Sequence, residues 1–147
     1  MPEIRVTAQQ KKAVAERAGG CCEYCRSQAR FAMQSFSIEH IVPRSLGGKT
    51  TLDNMALSYQ GCNNNKYNKV EAKDPVSGEM VKLYHPRQQK WNEHFVWRDD
   101  YSSIIGVTPT GRATVAALKL NRECVVNLRK MLYKYGEHPP LVNGEQI

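Results

Sequence analysis

The chain has no run of about 18 apolar residues, so no membrane-spanning helix is expected. Its opening residues, Met1-Pro2-Glu3-Ile4-Arg5, lack the apolar core of a secretion signal, and a cytoplasmic protein is the expectation. No internal repeat or low-complexity tract is present. The 147 residues suit a single domain with a modest core. Nor is there an even set of cysteines. The five, Cys21, Cys22, Cys25, Cys62 and Cys124, argue against a disulfide framework in a chain without a secretion signal. Acidic side chains are the scarcer sign, 14 Asp and Glu against 21 Lys and Arg, which leaves a net charge of +7 and a pI near 9.3. That surplus favours a polyanionic partner.

Thr7 is a candidate N-cap for a helix over Ala8 to Ala18, with Gly19-Gly20 ending it. Cys22-Glu23-Tyr24-Cys25 follows, with the two-residue gap that lets two thiolates meet one metal. Redox pairs share that gap, but here a helical segment and two glycines precede it, which disfavours redox chemistry. Alternation from Gln34 to Val42 predicts a strand closed by Pro43. Leu46-Gly47-Gly48-Lys49 is a turn, Leu52 to Leu57 a returning strand, and Asn63 to about Ala72 a short helix. Beyond the turn Asp74-Pro75-Val76-Ser77-Gly78, residues Met80 to Tyr84 read as a strand. Trp91, Phe95 and Trp97 form an aromatic group around His94. Thr108-Pro109 opens a helix to Leu118. Asn121 is placed to cap another from Arg122 to Tyr135, with Val125, Val126, Leu128, Met131 and Leu132 as its packing stripe. The expected architecture is α+β, a small central hairpin and helix with helical arms on both sides. One domain spans 1–147, with a core about 20–74 and an extension about 75–147.

The chemistry concentrates in Glu39-His40, Asn54 and Cys62-Asn63-Asn64-Asn65-Lys66. Neutral imidazole takes a proton from water near neutral pH, which suits His40. A hard cation such as Mg²⁺ or Mn²⁺ needs oxygen ligands, and the Glu39 carboxylate and Asn63 amide oxygen supply two. Asn63 at a helix start would also set phosphate against free backbone amides. Asn54 is a hydrogen-bond partner for the imidazole. Lys66, one turn beyond Asn63, faces the same phosphate, and Arg44 is a second candidate for that contact. The plainer readings are a surface ion pair for Glu39-His40, a turn residue and an N-cap for the asparagines, and solvated charge for Lys66 and Arg44. Alternation sends Glu39 and His40 to opposite faces, so one site can use both only where the strand twists or lies at an edge.

The run Ser37-Ile38-Glu39-His40-Ile41-Val42-Pro43-Arg44-Ser45, then Gly47-Gly48, Asn54, Cys62-Asn63 and Lys66, resembles the HNH endonuclease family over about Cys22 to Lys69. The resemblance implies a ββα-metal motif around one catalytic divalent metal. It casts His40 as general base, Glu39 and Asn63 as metal ligands, Asn54 as the residue orienting the base, and DNA, double-stranded, as substrate. Family members with a zinc knuckle carry two Cys-x-x-Cys pairs. Here the second pair is incomplete, because Tyr59 stands where its first cysteine would be and only Cys62 remains. Structural Zn²⁺ on Cys22, Cys25 and Cys62, with water, Tyr59 or Cys21 completing it, and a metal-free packed cluster are both open. Other classes of function are a catalytically silent nucleic-acid-binding module and a nuclease for modified DNA or RNA. His94 reads as a core histidine with a hydrogen-bond partner, Cys124 as buried, and His85 and His138 as loop residues without a role.

Overall fold

The computed structural model describes residues 5–33, 35–142 and 145–146. The expectations touching the N-terminal residues 1–4 and Gln34 lie outside the described residues. Thr7 opens α1 (Ala8–Arg17) as the sequence implied. Its hydroxyl accepts from the Gln10 N–H, while the Gln10 side chain accepts from the Thr7 N–H, a reciprocal capping box. Gly19 and Gly20 follow with φ of 63° and 71°, left-handed geometry that costs glycine little.

β1 (Phe36–His40) pairs antiparallel with β2 (Met55–Tyr59), with Glu39 opposite Ala56 and His40 opposite Met55. The returning strand starts later than expected, because Leu52–Asn54 winds into a 3₁₀ turn. Alternation then divides β2 between two clusters. Met55 and Leu57 pack with Val14 and Ala18 beneath α1, while Ala56 joins the larger core with Tyr24, Trp91, Phe95 and Leu118.

α2 (Gln60–Lys66) begins before and ends well before the helix expected from Asn63 to Ala72. Tyr67 takes φ 53° and breaks it, and Ala72 instead lies in β3 (Glu71–Lys73), opposite Val81 in β4 (Met80–Lys82). The intervening turn is held by Asp74, whose carboxylate accepts from the Val76 N–H at 3.1 Å and from both ends of the Arg112 guanidinium at 2.9 Å. Further along, α3 (Trp91–His94) leads into β5 (Phe95–Trp97), which pairs with β6 (Ile104–Gly106). The Trp91 ring sits 5.1 Å from Phe95 and 5.5 Å from Trp97, so the expected aromatic group forms. His94 has the expected hydrogen-bond partner, the Thr108 hydroxyl at 2.7 Å, but it is half-buried and lies at the edge of the core.

α4 (Pro109–Leu118) has the predicted limits, with the Thr108 hydroxyl accepting from the Gly111 N–H. α5 (Glu123–Lys134) departs from expectation in three ways. Asn121 is not its cap, because its carboxamide instead bridges the N–H and C=O of Ile104 at 2.7 and 2.9 Å. Cys124 is exposed, lying on the side of the helix away from Val125. Within the apolar stripe Met131 is 61% exposed and the buried place goes to Arg129. The Arg129 guanidinium donates to the carbonyls of Ser102, Leu120 and Cys25, which a hydrophobic pattern cannot register. A last pair, β7 (Leu141–Val142) and β8 (Glu145–Gln146), follows. The architecture is α+β, helices among small two-stranded sheets. No helix among the described residues is long and apolar enough to cross a membrane.

His138, assigned no role from sequence, is buried with its ring edge-on to Trp97 at 4.6 Å and its Nε2 2.8 Å from the Tyr101 carbonyl. Burial pushes its pKa down from 6.5 to about 4. Between those values the unfolded chain takes up a proton that the folded chain refuses, so stability declines as pH falls across that window. The melting temperature is expected to drop from pH 7 to pH 4.5, less steeply in His138→Gln. Identical slopes would remove His138 from the acid response.

Candidate functional site

Among the described residues β1 pairs with β2 alone, so its other edge carries no strand. That edge resolves the alternation problem. Glu39 and His40 both reach a cleft of 290 Å³, shared with Arg44, Asn63 and Tyr67. α2 contributes through its own periodicity. Cys62 and Lys66, four apart, form its buried face, while Asn63 and Tyr67, also four apart, line the cleft.

His40 is half-buried, with Nε2 3.0 Å from the Thr50 hydroxyl. Burial lowers its pKa and nearby Arg44 lowers it further, both favouring the neutral imidazole. Glu39 is buried. The Tyr24 hydroxyl donates to one of its carboxylate oxygens, and Lys66 Nζ lies 3.4 Å from the other. Burial raises the Glu39 pKa, with Lys66 and then Tyr24 opposing that rise.

Three sequence-derived roles need correction. Lys66 does not face a phosphate from the surface. It is 1% exposed, donates to the Ile41 carbonyl at 2.8 Å and acts as counter-ion to Glu39, because a lysine beside a buried carboxylate lowers the cost of burying both. Asn63 does not start its helix, since Gln60 does; its backbone amide is therefore not one of the free amides at the helix start, and only its side chain serves the cleft. Asn54 is not bonded to the imidazole. Its Oδ1 accepts from the Val42 N–H at 2.9 Å, and its Nδ2 donates to the carbonyls of Val42 at 3.0 Å and Lys49 at 2.9 Å. It braces the loop that carries Thr50. Gly48 completes that brace, since a Cβ there would collide with the Val42 carbonyl. Arg44, the second candidate for a phosphate contact, is exposed and lines the cleft.

Tyr24, Thr50 and Tyr67 were not singled out from sequence. No local pattern marks Thr50 or Tyr24, whose partners are ten and fifteen residues away. Tyr67 is 77% exposed at φ 53°, and an aromatic side chain held in left-handed geometry at a cleft edge is the one trace it leaves.

On the inner side of α2, the sulfurs of Cys22, Cys25 and Cys62 lie within 4.8 Å of one another. Burial raises the Cys22 thiol to about 12, and hydrogen bonds to the other two thiols raise Cys62. Burial would raise Cys25 too, but hydrogen bonds from Cys22, Cys62 and Ser27 outweigh it and hold Cys25 well below the ordinary thiol value. Three soft donors at this separation match three corners of a zinc tetrahedron. Cys21 is not the fourth, since its thiol donates to the Gly19 carbonyl at 3.6 Å. Arg122 stands by the cluster, 3.4 Å from the Cys62 sulfur and stacked over the Tyr59 ring.

The donors in the outer cleft are of another kind: a carboxylate, a carboxamide and an imidazole, with no thiol among them. A carboxylate keeps lone pairs after accepting two bonds, so Glu39 and Asn63 fit a hard divalent cation. No curated protein and no solved structure matches this chain. Residues 22–69, the segment holding both the thiol cluster and the cleft, match the family model for HNH, HNH endonuclease.

Proposed function

We propose that this protein is a metal-dependent endonuclease that hydrolyses phosphodiester bonds in double-stranded DNA. The observation carrying that reading is the meeting of Glu39, His40 and Asn63 at one cleft within the matched segment. Thr50 holds His40 Nε2 and leaves Nδ1 to accept the proton from water. Glu39 and Asn63 would hold the catalytic divalent metal in a ββα-metal arrangement of β1, β2 and α2. When bound, Mg²⁺ or Mn²⁺ supplies positive charge to the phosphate oxygens and the departing 3′ oxygen. Arg44 contacts a neighbouring phosphate. The whole of 1–147 acts as one domain, a reading supported by the Trp91 indole donating to the Tyr24 carbonyl at 2.9 Å and by Arg129 reaching Cys25.

Supercoiled-plasmid cleavage with Mg²⁺, Mn²⁺ or EDTA tests the reading. Nicked or linear product is expected with either metal and none with EDTA. Asn63→Ala should weaken divalent-metal binding in calorimetry by at least roughly the tenfold seen for lesser perturbations of metal sites. Unchanged affinity would take Asn63 out of the metal site. One observation favours a binding module without turnover: both Glu39 oxygens already have partners in Tyr24 and Lys66. Tight, salt-sensitive DNA binding with no cutting under any metal would decide for that alternative.

Cys22, Cys25 and Cys62 would hold a structural zinc, which would tie the Cys22–Cys25 turn to α2. Purified protein should carry zinc by elemental analysis, and Cys62→Ser should lose zinc and melting temperature together. Equal zinc in both would rule out Cys62 as a ligand.

A further inference from the structure

Lys66, the counter-ion of Glu39, lines a second cavity of 540 Å³. We propose that it receives one guanine base of the DNA strand being cut, turned out of the helix; this rests on the nuclease reading above. The volume falls in the usual range for small-molecule pockets. Its walls are apolar, with buried Ile41, Leu83 and Tyr84 beside half-buried Val70, which suits the faces of a planar base and not a bare phosphate.

Lys66, Lys82, His85 and Gln89 bring donors to this cavity. His85 Nδ1 accepts from the N–H groups of Arg87 and Gln88, at 3.2 and 3.3 Å, which fixes the proton on Nε2. The Gln89 Oε1 accepts from the His85 N–H at 2.9 Å, leaving its amide NH₂ to donate. Lys66 uses one of its three N–H bonds on Ile41 and one toward Glu39. A donor-lined pocket selects a base edge with adjacent acceptors. On its major-groove edge guanine presents N7 and O6 together, where adenine and cytosine place an amino group and thymine a methyl. Cytosine O2 and N3 are the one other adjacent acceptor pair, and the titration below separates the two bases. Glu71, exposed at the rim, is the acceptor available to the guanine amino group.

Position supports the assignment as well. Ile41 and Val42 line this cavity and directly follow His40 in the chain. Lys66 links the two spaces: it lines this cavity, and its Nζ lies 3.4 Å from the carboxylate of Glu39, which lines the cleft. A strand whose phosphate lies at His40 therefore has a neighbouring nucleotide within reach of the cavity.

The test is a nuclear magnetic resonance titration of the full-length protein in EDTA with each of the four deoxynucleoside monophosphates. The His85 ring resonances report the cavity. Deoxyguanosine monophosphate should shift them and bind at least about tenfold tighter than the other three. Leu46→Trp, at a rim position 56% exposed and so tolerant of a larger side chain, should abolish the shift. No shift at His85, equal affinities for the four, or a response unaltered by Leu46→Trp would each overturn the proposal. Plasmid cleavage by the same preparation separates the two readings. Cutting without a His85 response defeats the cavity alone, and a His85 response without cutting defeats the nuclease alone.

Discussion

His40→Ala is expected to reduce metal-dependent plasmid cleavage by about 10²–10⁴-fold, the usual share of a positioned general base. The residue ends β1, and its strand pairing with Met55 uses backbone groups that the substitution keeps. Its side chain is half-buried with one polar partner, Thr50, so the fold should survive its truncation. DNA affinity, measured by anisotropy in EDTA, should be nearly unchanged, because phosphate attraction comes from the basic surface. The combination is diagnostic: normal binding and melting with lost cutting places His40 in the chemical step. Cleavage retained within a few fold would assign the base to another group.

Asn54→Ala is expected to damage both stability and turnover. The substitution strands the Val42 N–H, the Val42 carbonyl and the Lys49 carbonyl together. An unpaired buried polar group costs about 1–3 kcal/mol, and partial access to water lowers the cost at this site, so about 2–4 kcal/mol is the expected total. The loop from Pro43 to Thr50 would then lose its brace, and with it the Thr50 contact that sets the His40 ring. Cleavage should fall by about 10²-fold, the penalty of a misplacement near 1 Å. A substitution that lowered activity at unchanged melting temperature would contradict this account, because it would mean Asn54 acts on the imidazole directly. Gly48→Ala should mimic Asn54→Ala, since its Cβ would push on the same Val42 carbonyl.

These two residues show how the site divides between pattern and packing. Identity, order and spacing were sufficient to locate the matched segment, and two residues singled out within it, His40 and Asn63, line one cleft. Capping chemistry was equally legible. Thr7, Gly19-Gly20 and Thr108-Pro109 lie at the helix ends that they predict, because a cap is satisfied by neighbours three residues away. Where a polar side chain finds its partner far along the chain, the reading failed. Asn121 looked like a cap and was taken by the edge of β6; Lys66 looked like a solvated phosphate contact and was drawn under Glu39.

Sequence alone determined the residue types of the site, the α+β class, the basic surface and the incomplete second cysteine pair. These depend on side-chain chemistry and on periodicities of two and 3.6, both local. Only the tertiary structure decided that Glu39 and His40 reach one cleft, since that depends on β1 having an edge that carries no strand among the described residues. It also decided that Asn54 braces a loop and that Lys66 is buried against Glu39 while lining a second cavity. Each of these follows from where buried polar groups must find partners, and that is settled only when distant segments pack together.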